Sequence, residues 1–169
     1  MDYIGISENR LHHILGVARK AYSLAKEMGY NENLARRMFM LGWNHDVGYE
    51  FSKAPEEHPD VGAEMLRNLT NGNTMLLDEM DFIGMSIASY TAYDAVRKHG
   101  RYTENETAEW KILNMADLLV NSKGEEVSVS ERLEDIKNRY GEHSDQYLTA
   151  CDIAYRVGLT AVNFAANIT

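Results

Sequence analysis

Apolar residues recur at helical spacing along almost the whole chain, and the period-two alternation of a half-buried strand is nearly absent. The pattern predicts an all-α protein. A first helix starts at Ser7, a good N-cap, and ends at Gly29, a good C-cap. Asn31 caps a second, which runs through LARRMFMLGW to about residue 44. VGYEFSKAPEEHP follows as a loop broken by Gly48, Pro55 and Pro59, and the chain has no other proline. A short helix over about 60–69 closes at Asn71 and Gly72, and longer ones cover about 76–98 and 106–121. After a loop at Lys123–Gly124, Ser130 heads SERLEDIKNRY, which ends before Gly141. Ser144 or Asp145 caps a mostly apolar last helix. The reading is a compact single-domain bundle, residues 1–169, of about six to eight helices.

Helical phase then separates the ionisable residues that face the interior from those that do not. On the first helix Leu11, Ile14, Ala18, Ala21, Ala25 and Met28 form the apolar face, and Glu8, Arg19 and Lys26 mark the opposite one. His12 falls on the charged face; its neighbour His13 falls at the edge of the apolar face, in line with Val17 and Leu24. Asp117 lies on an apolar stripe with Trp110, Leu113 and Val120. A buried carboxylate without compensation costs several kcal/mol. Asn114 and Asn121, not a cation, sit one turn away on the same helix. The balancing charge must therefore come from elsewhere: a metal ion, or a buried arginine from another helix. His45 and Asp46 close the second helix, where a departing backbone can send both side chains the same way. His58 follows one loop later, and Glu50, Lys53 and Glu57 share that loop. His99 and His143, in polar, glycine-flanked surroundings, read as surface residues.

Composition narrows the chemistry. A net charge of −9 argues against a general nucleic-acid binder, although a small phosphorylated molecule held by a metal and a few cations remains compatible. Cys151 is the only cysteine, which excludes a disulfide framework and a cysteine-rich zinc module. The opening MDYIGISENR lacks a signal-peptide pattern, and no apolar run approaches the 18 or so residues that span a bilayer. A cytoplasmic protein is expected. The methionines are spread over apolar faces and read as core filling.

Taken together, the ordered residues His13, His45–Asp46 and Asp117 resemble the HD superfamily of metal-dependent phosphohydrolases. RLHHILGVARKAYSLAKEMG resembles its first-helix motif, MLGWNHDVGY its HD segment, HPDVGAEML the stretch that follows, and ILNMADLL the helix of its final aspartate. The resemblance covers roughly residues 7–122, and in length and pattern the chain is similar to small bacterial proteins related to symmetrical dinucleoside tetraphosphatases, or to short 5′-nucleotidase-like members. Two features depart from it. Many members carry a lysine shortly after the HD pair, where this chain has Tyr49, and the segment SIASYTAY lacks the histidine found in two-metal subfamilies.

The resemblance implies an HD-type fold in which His13, His45, Asp46 and Asp117 hold one divalent ion rather than two. Imidazoles with carboxylates suit Mn, Fe, Co, Ni or Zn better than Mg. The implied reaction is hydrolysis of a phosphate ester or anhydride, as a phosphomonoesterase or a nucleotide pyrophosphohydrolase would perform it. Asp46 is the candidate to orient water, His58 to contact phosphate or protonate the leaving group, and Lys53 to bind substrate. The expected partner is a small phosphorylated substrate, a nucleotide above all, with no nucleic acid and no membrane. The apolar faces of the last helix (Tyr147, Cys151, Ala154, Tyr155, Val162, Phe164) leave core completion and a homodimer interface both open. Tyr49 and the absent histidine speak for an alternative, a catalytically impaired HD-fold domain that binds metal or nucleotide in a regulatory role. A helical interaction protein with a merely structural polar core is the third reading, and it predicts no metal.

Overall fold

The computed structural model describes residues 6–70 and 90–161, and among these there are seven α-helices and no strand. They are α1 (Glu8–Glu27), α2 (Glu32–Asn44), α3 (His58–Thr70), α4 (Tyr90–Arg97), α5 (Ala108–Leu118), α6 (Val129–Tyr140) and α7 (Asp145–Arg156). The all-α expectation holds. Expectations placed at Asn71–Gly72, on most of the 76–98 helix including the start of SIASYTAY, and at Val162 and Phe164 fall outside the described residues.

Side-chain caps set most helix starts. Ser7, Asn31 and Ser144 accept backbone N–H groups of Arg10, Leu34 and Tyr147, as the sequence predicts, and Thr107 does the same for Trp110. Helix α6 starts earlier than expected, because Ser128 rather than Ser130 is its cap. Ser128 and Glu131 exchange hydrogen bonds in a capping box, which satisfies two orphan donors at once. Helix α3 likewise begins at His58, with Pro59 in its first turn, where a missing N–H does no harm. The preceding loop holds two short 3-10 turns, Val47–Glu50 and Pro55–Glu57.

One apolar cluster draws from every described helix: Val17, Met38, Leu66, Val96, Trp110, Leu133 and Ile153 all belong to it. Full burial of such a side chain contributes roughly 1.5–3 kcal/mol. Tyr147, Cys151 and Ala154 complete this core, whereas Tyr155 is exposed. Met28, expected on the buried face of α1, is also exposed, at the point where that helix ends.

Close backbone approaches lock α1 to its neighbours. At Gly42 of α2, a Cβ would stand 2.6 Å from the Ala18 Cα, so the two helices cross nearly in contact. The turn between α5 and α6 is pinned by Asn121 N–H to Glu125 O, Val127 N–H to Leu119 O, and an isolated bridge of Val120 with Glu126. Its Gly124, at φ +81°, lies against the carbonyl of His12, where no side chain would fit. No described helix is long and apolar enough to cross a membrane.

Candidate metal centre

Four histidines and two aspartates converge where α1, the end of α2, the start of α3, the turn after α4, and α5 meet. His13 is buried on α1 while His12 is exposed, which matches the helical phase. The His13 Nε2 lies 3.1 Å from Asp117 Oδ1 and 3.6 Å from Asp46 Oδ2. His45, wholly buried, places Nε2 3.5 Å from Asp46 Oδ1 and 3.8 Å from Asp117 Oδ1. His58 and His99 each bring Nε2 to 3.4 Å from Asp46 Oδ1.

The surface reading of His99 is therefore corrected: it is 4% exposed and faces Asp46. Its place follows from the end of α4, where Ala92, Ala95 and Val96 pack into the core and His99 continues their stripe by one more turn. That i, i+3, i+4, i+7 spacing was the available signal. The buried Asn114 holds the turn in place by accepting the Gly100 N–H at 2.8 Å and donating to the Trp110 carbonyl. His143 is exposed, as expected.

All four imidazoles share one orientation. Each turns Nδ1 to a backbone carbonyl: His13 to Asn121 (2.9 Å), His45 to Gly42 (2.6 Å), His58 to Pro55 (2.6 Å) and His99, more weakly, to Val96 (3.4 Å). A carbonyl only accepts, so Nδ1 carries the proton and the Nε2 lone pairs face one another and the carboxylates. The His58 and His99 Nε2 atoms are 3.5 Å apart, and the buried His45 Nε2 has no hydrogen-bond partner among the described residues. Lone pairs and anionic oxygens gathered in one pocket need positive charge between them, which fits the donor set of a divalent ion. Two overlapping groups have donor atoms all within 4.8 Å of one another: His13, His45 and Asp117, and His45, Asp46 and His99.

The same charges shift the titration of the cluster. Burial would raise the carboxyl pKa of Asp46, but the surrounding His45, His58 and His99 hold it well below the usual range. Burial likewise opposes ionisation of Asp117, and His13 and His45 more than offset it. Burial pulls His13 and His99 downward, yet the adjacent aspartates win and both stand above the ordinary imidazole value. For His58 burial prevails and the value is lowered.

The sequence left two sources of compensating charge for Asp117, and the structure supplies a cation alongside the imidazoles. Arg132 of α6 brings Nη2 to 3.8 Å from Asp117 Oδ1, too far for a hydrogen bond but close enough to act electrostatically. Arg10 has a more direct role. One turn before His13, it donates from Nη1 to Asp46 Oδ2 at 2.9 Å and lies over the Tyr49 ring at 3.9 Å. Being three residues from His13 on one helix was the clue in the sequence. Asp46 thus has both oxygens engaged, which makes it a weak candidate for a base. Lys53 is exposed and makes none of these contacts, Glu57 is exposed, and Glu50 accepts the Ser7 N–H at 3.3 Å, at the start of α1.

Comparison with known proteins identifies the family. The HD domain family matches residues 10–154. The chain is 28% identical to Ribonuclease Y of Streptococcus sanguinis (strain SK36) over 69% of its own length and 23% of that protein. It is 37% identical to Ribonuclease Y of Aliarcobacter butzleri (strain RM4018) over 41% of its length and 13% of the other. The chain thus spans less than a quarter of these curated relatives. No solved structure matches it with comparable significance. With its all-helical fold and the family match over most of its length, the chain belongs to the HD-domain superfamily of metal-dependent phosphohydrolases.

Proposed function

We propose that the chain hydrolyses a phosphate ester or anhydride of a nucleotide or similar small molecule at this centre. The convergence of four imidazole Nε2 atoms and two aspartates around one point carries the reading. His13, His45 and Asp117 would hold one ion; His58 and His99 would hold a second, with Asp46 between them. A second ion goes beyond the one-ion expectation, and the support for it is His99, with Nε2 3.4 Å from Asp46 Oδ1 although SIASYTAY lacks a histidine. A divalent ion held there lowers the pKa of water from about 15.7 toward about 7 and neutralises phosphoryl oxygen.

The chain's own groups do the positioning. The backbone carbonyls fix each imidazole's orientation, and Arg10 holds Asp46 in place while presenting its remaining N–H groups beside the centre. His58, first read as a phosphate contact or proton donor, takes the role of a ligand, and Lys53 on its exposed loop is a weaker substrate contact than Arg10. The family relatives are ribonucleases by name, and the same chemistry serves a phosphodiester. The net charge of −9 favours a small substrate over RNA.

The test is metal content and phosphate release for the wild type and Asp117→Ala, with Mn, Co or Ni and a panel of nucleotides. Near-stoichiometric metal and phosphate release in the wild type, both lost in the variant, are expected. Metal without turnover would favour the regulatory binding domain, a reading that Tyr49 in place of the usual lysine supports. A wild type that takes up no metal after reconstitution would overturn the proposal.

A further inference from the structure

Beside the centre, the α5–α6 turn and the inner face of α6 enclose a groove of about 360 Å³. It shares two residues with the centre. Arg132 lines the groove and reaches toward Asp117, and Asn121 lines it while its carbonyl fixes His13. The groove is rigid with respect to the metal ligands. Asn121 Oδ1 accepts the N–H groups of Lys123 and Glu125, and a Cβ at Gly16 of α1 would stand 2.5 Å from the Gly124 carbonyl.

Three cations, Lys123, Arg132 and Arg139, line it, in a chain of net charge −9. Two acids line it as well, but both are committed. The Glu131 carboxylate caps α6 by accepting the Ser128 N–H at 2.7 Å, and Asp135 reaches Arg132 at 3.4 Å and holds Arg139 by two contacts at 3.1 and 3.0 Å. Arg139 also donates to Ser122 Oγ at 3.4 Å. Among the described residues no ion pair engages the Lys123 amino group. The Arg132 Nε is buried with no hydrogen-bond partner. Three cations against two carboxylates leave the lining one positive charge in excess, and Arg132 and Asn121 join it to the metal centre.

Building on the phosphohydrolase reading, we infer that this groove seats a second phosphate group of the substrate, one link beyond the phosphoryl group held at the metals. Lys123 and Arg139 are its specificity-determining residues, and Arg132 bridges the two phosphate positions. Arginine and lysine suit this task because guanidinium binds phosphate oxygens in a fork and ammonium acts as a point charge. A substrate with two linked phosphates would span centre and groove, whereas a monophosphate would fill only the centre.

The test titrates inorganic pyrophosphate and orthophosphate into the 169-residue chain by calorimetry, with and without Mn. Wild type, Lys123→Ala, Arg139→Ala and Arg139→Lys are compared, and metal content and melting temperature are recorded for each. Lys123 and Arg139 are exposed, so their truncation leaves the core intact. Each alanine variant is expected to weaken pyrophosphate binding about tenfold while orthophosphate binding and metal content stay constant, and Arg139→Lys to recover most of the loss. Unchanged pyrophosphate affinity in both alanine variants, or an equal loss for both anions, would overturn the inference. The two readings fail separately. Selective loss of pyrophosphate binding in a protein that takes up no metal keeps the groove and removes the hydrolase. Metal-loaded, active protein with indifferent variants does the opposite.

Discussion

The Tyr49 ring lies face to face on the His58 imidazole, with centroids 3.6 Å apart and planes 13° from parallel. Its other partner is the Arg10 guanidinium, so Arg10, Tyr49 and His58 form a stack along one wall of the centre. Burial, and after it the charge of Asp46, push the Tyr49 phenol well above its ordinary pKa, so the hydroxyl stays protonated and the ring is the useful part. Tyr49→Phe is expected to keep phosphate release near the wild-type rate. Tyr49→Ala, which frees both neighbours, is expected to lower it about tenfold, roughly the 1.4 kcal/mol of a lost stacking and cation–π contact. Equal losses in the two variants would assign the role to the hydroxyl instead.

His99 separates one-ion from two-ion occupancy. His99→Gln is expected to remove about one of two bound ions, leaving the His13, His45 and Asp117 group loaded. Elemental analysis of dialysed protein reads the result directly, and an unchanged stoichiometry would reduce His99 to a packing residue.

Gly48 sets the approach of α3. A Cβ there would run into the His58 carbonyl and stand 2.7 Å from the Gly62 N, both of them backbone atoms that cannot swing away. Gly48→Ala is expected to destabilise the protein by about 1–3 kcal/mol and to weaken metal binding as His58 is displaced. Thermal melts with and without Mn measure both effects. A melting temperature equal to the wild type would show that α3 yields without strain.

Arg101 fastens the turn before His58 by donating to the Glu56 carbonyl at 2.6 Å and to Asp60 Oδ2 at 2.9 Å. The Arg101 hydrogen bond lowers the Asp60 carboxyl pKa. A depressed carboxylate stabilises the fold above its unfolded value, near 3.9, and loses that contribution as pH falls through the folded value. Asp60 is half exposed, so the contribution is under about 1 kcal/mol. Asp60→Asn should melt slightly below the wild type at pH 7, with the gap closing as pH falls through the lowered carboxyl pKa. A gap that widens on acidification would contradict this pairing.

The polar face of α1 was legible because a continuous helix keeps its phase, so His12 and His13 separate by geometry alone. Asp117 was legible for the same reason, as a charge on an apolar stripe. His99 was not, because its burial is decided one turn past the end of α4, where glycine and charged neighbours mask the stripe that it extends. The Ser128–Glu131 capping box was present in the sequence but overshadowed by Ser130 beside Glu131. Arg132 could not be singled out, since SERLEDIKNRY is charged nearly all round and only tertiary packing selects which cation turns inward.

The tie between His13 and Asn121 joins positions 108 residues apart. A ribosome-bound chain that has released residues 1–45 therefore holds two of the centre's four histidines without the carbonyl that orients the first of them. Metal capture at the His13 side must wait until the α5–α6 turn has been made and has docked on α1. An ion held there would then stabilise only the finished fold, so metal supply would govern how long the completed protein survives rather than how quickly its helices form.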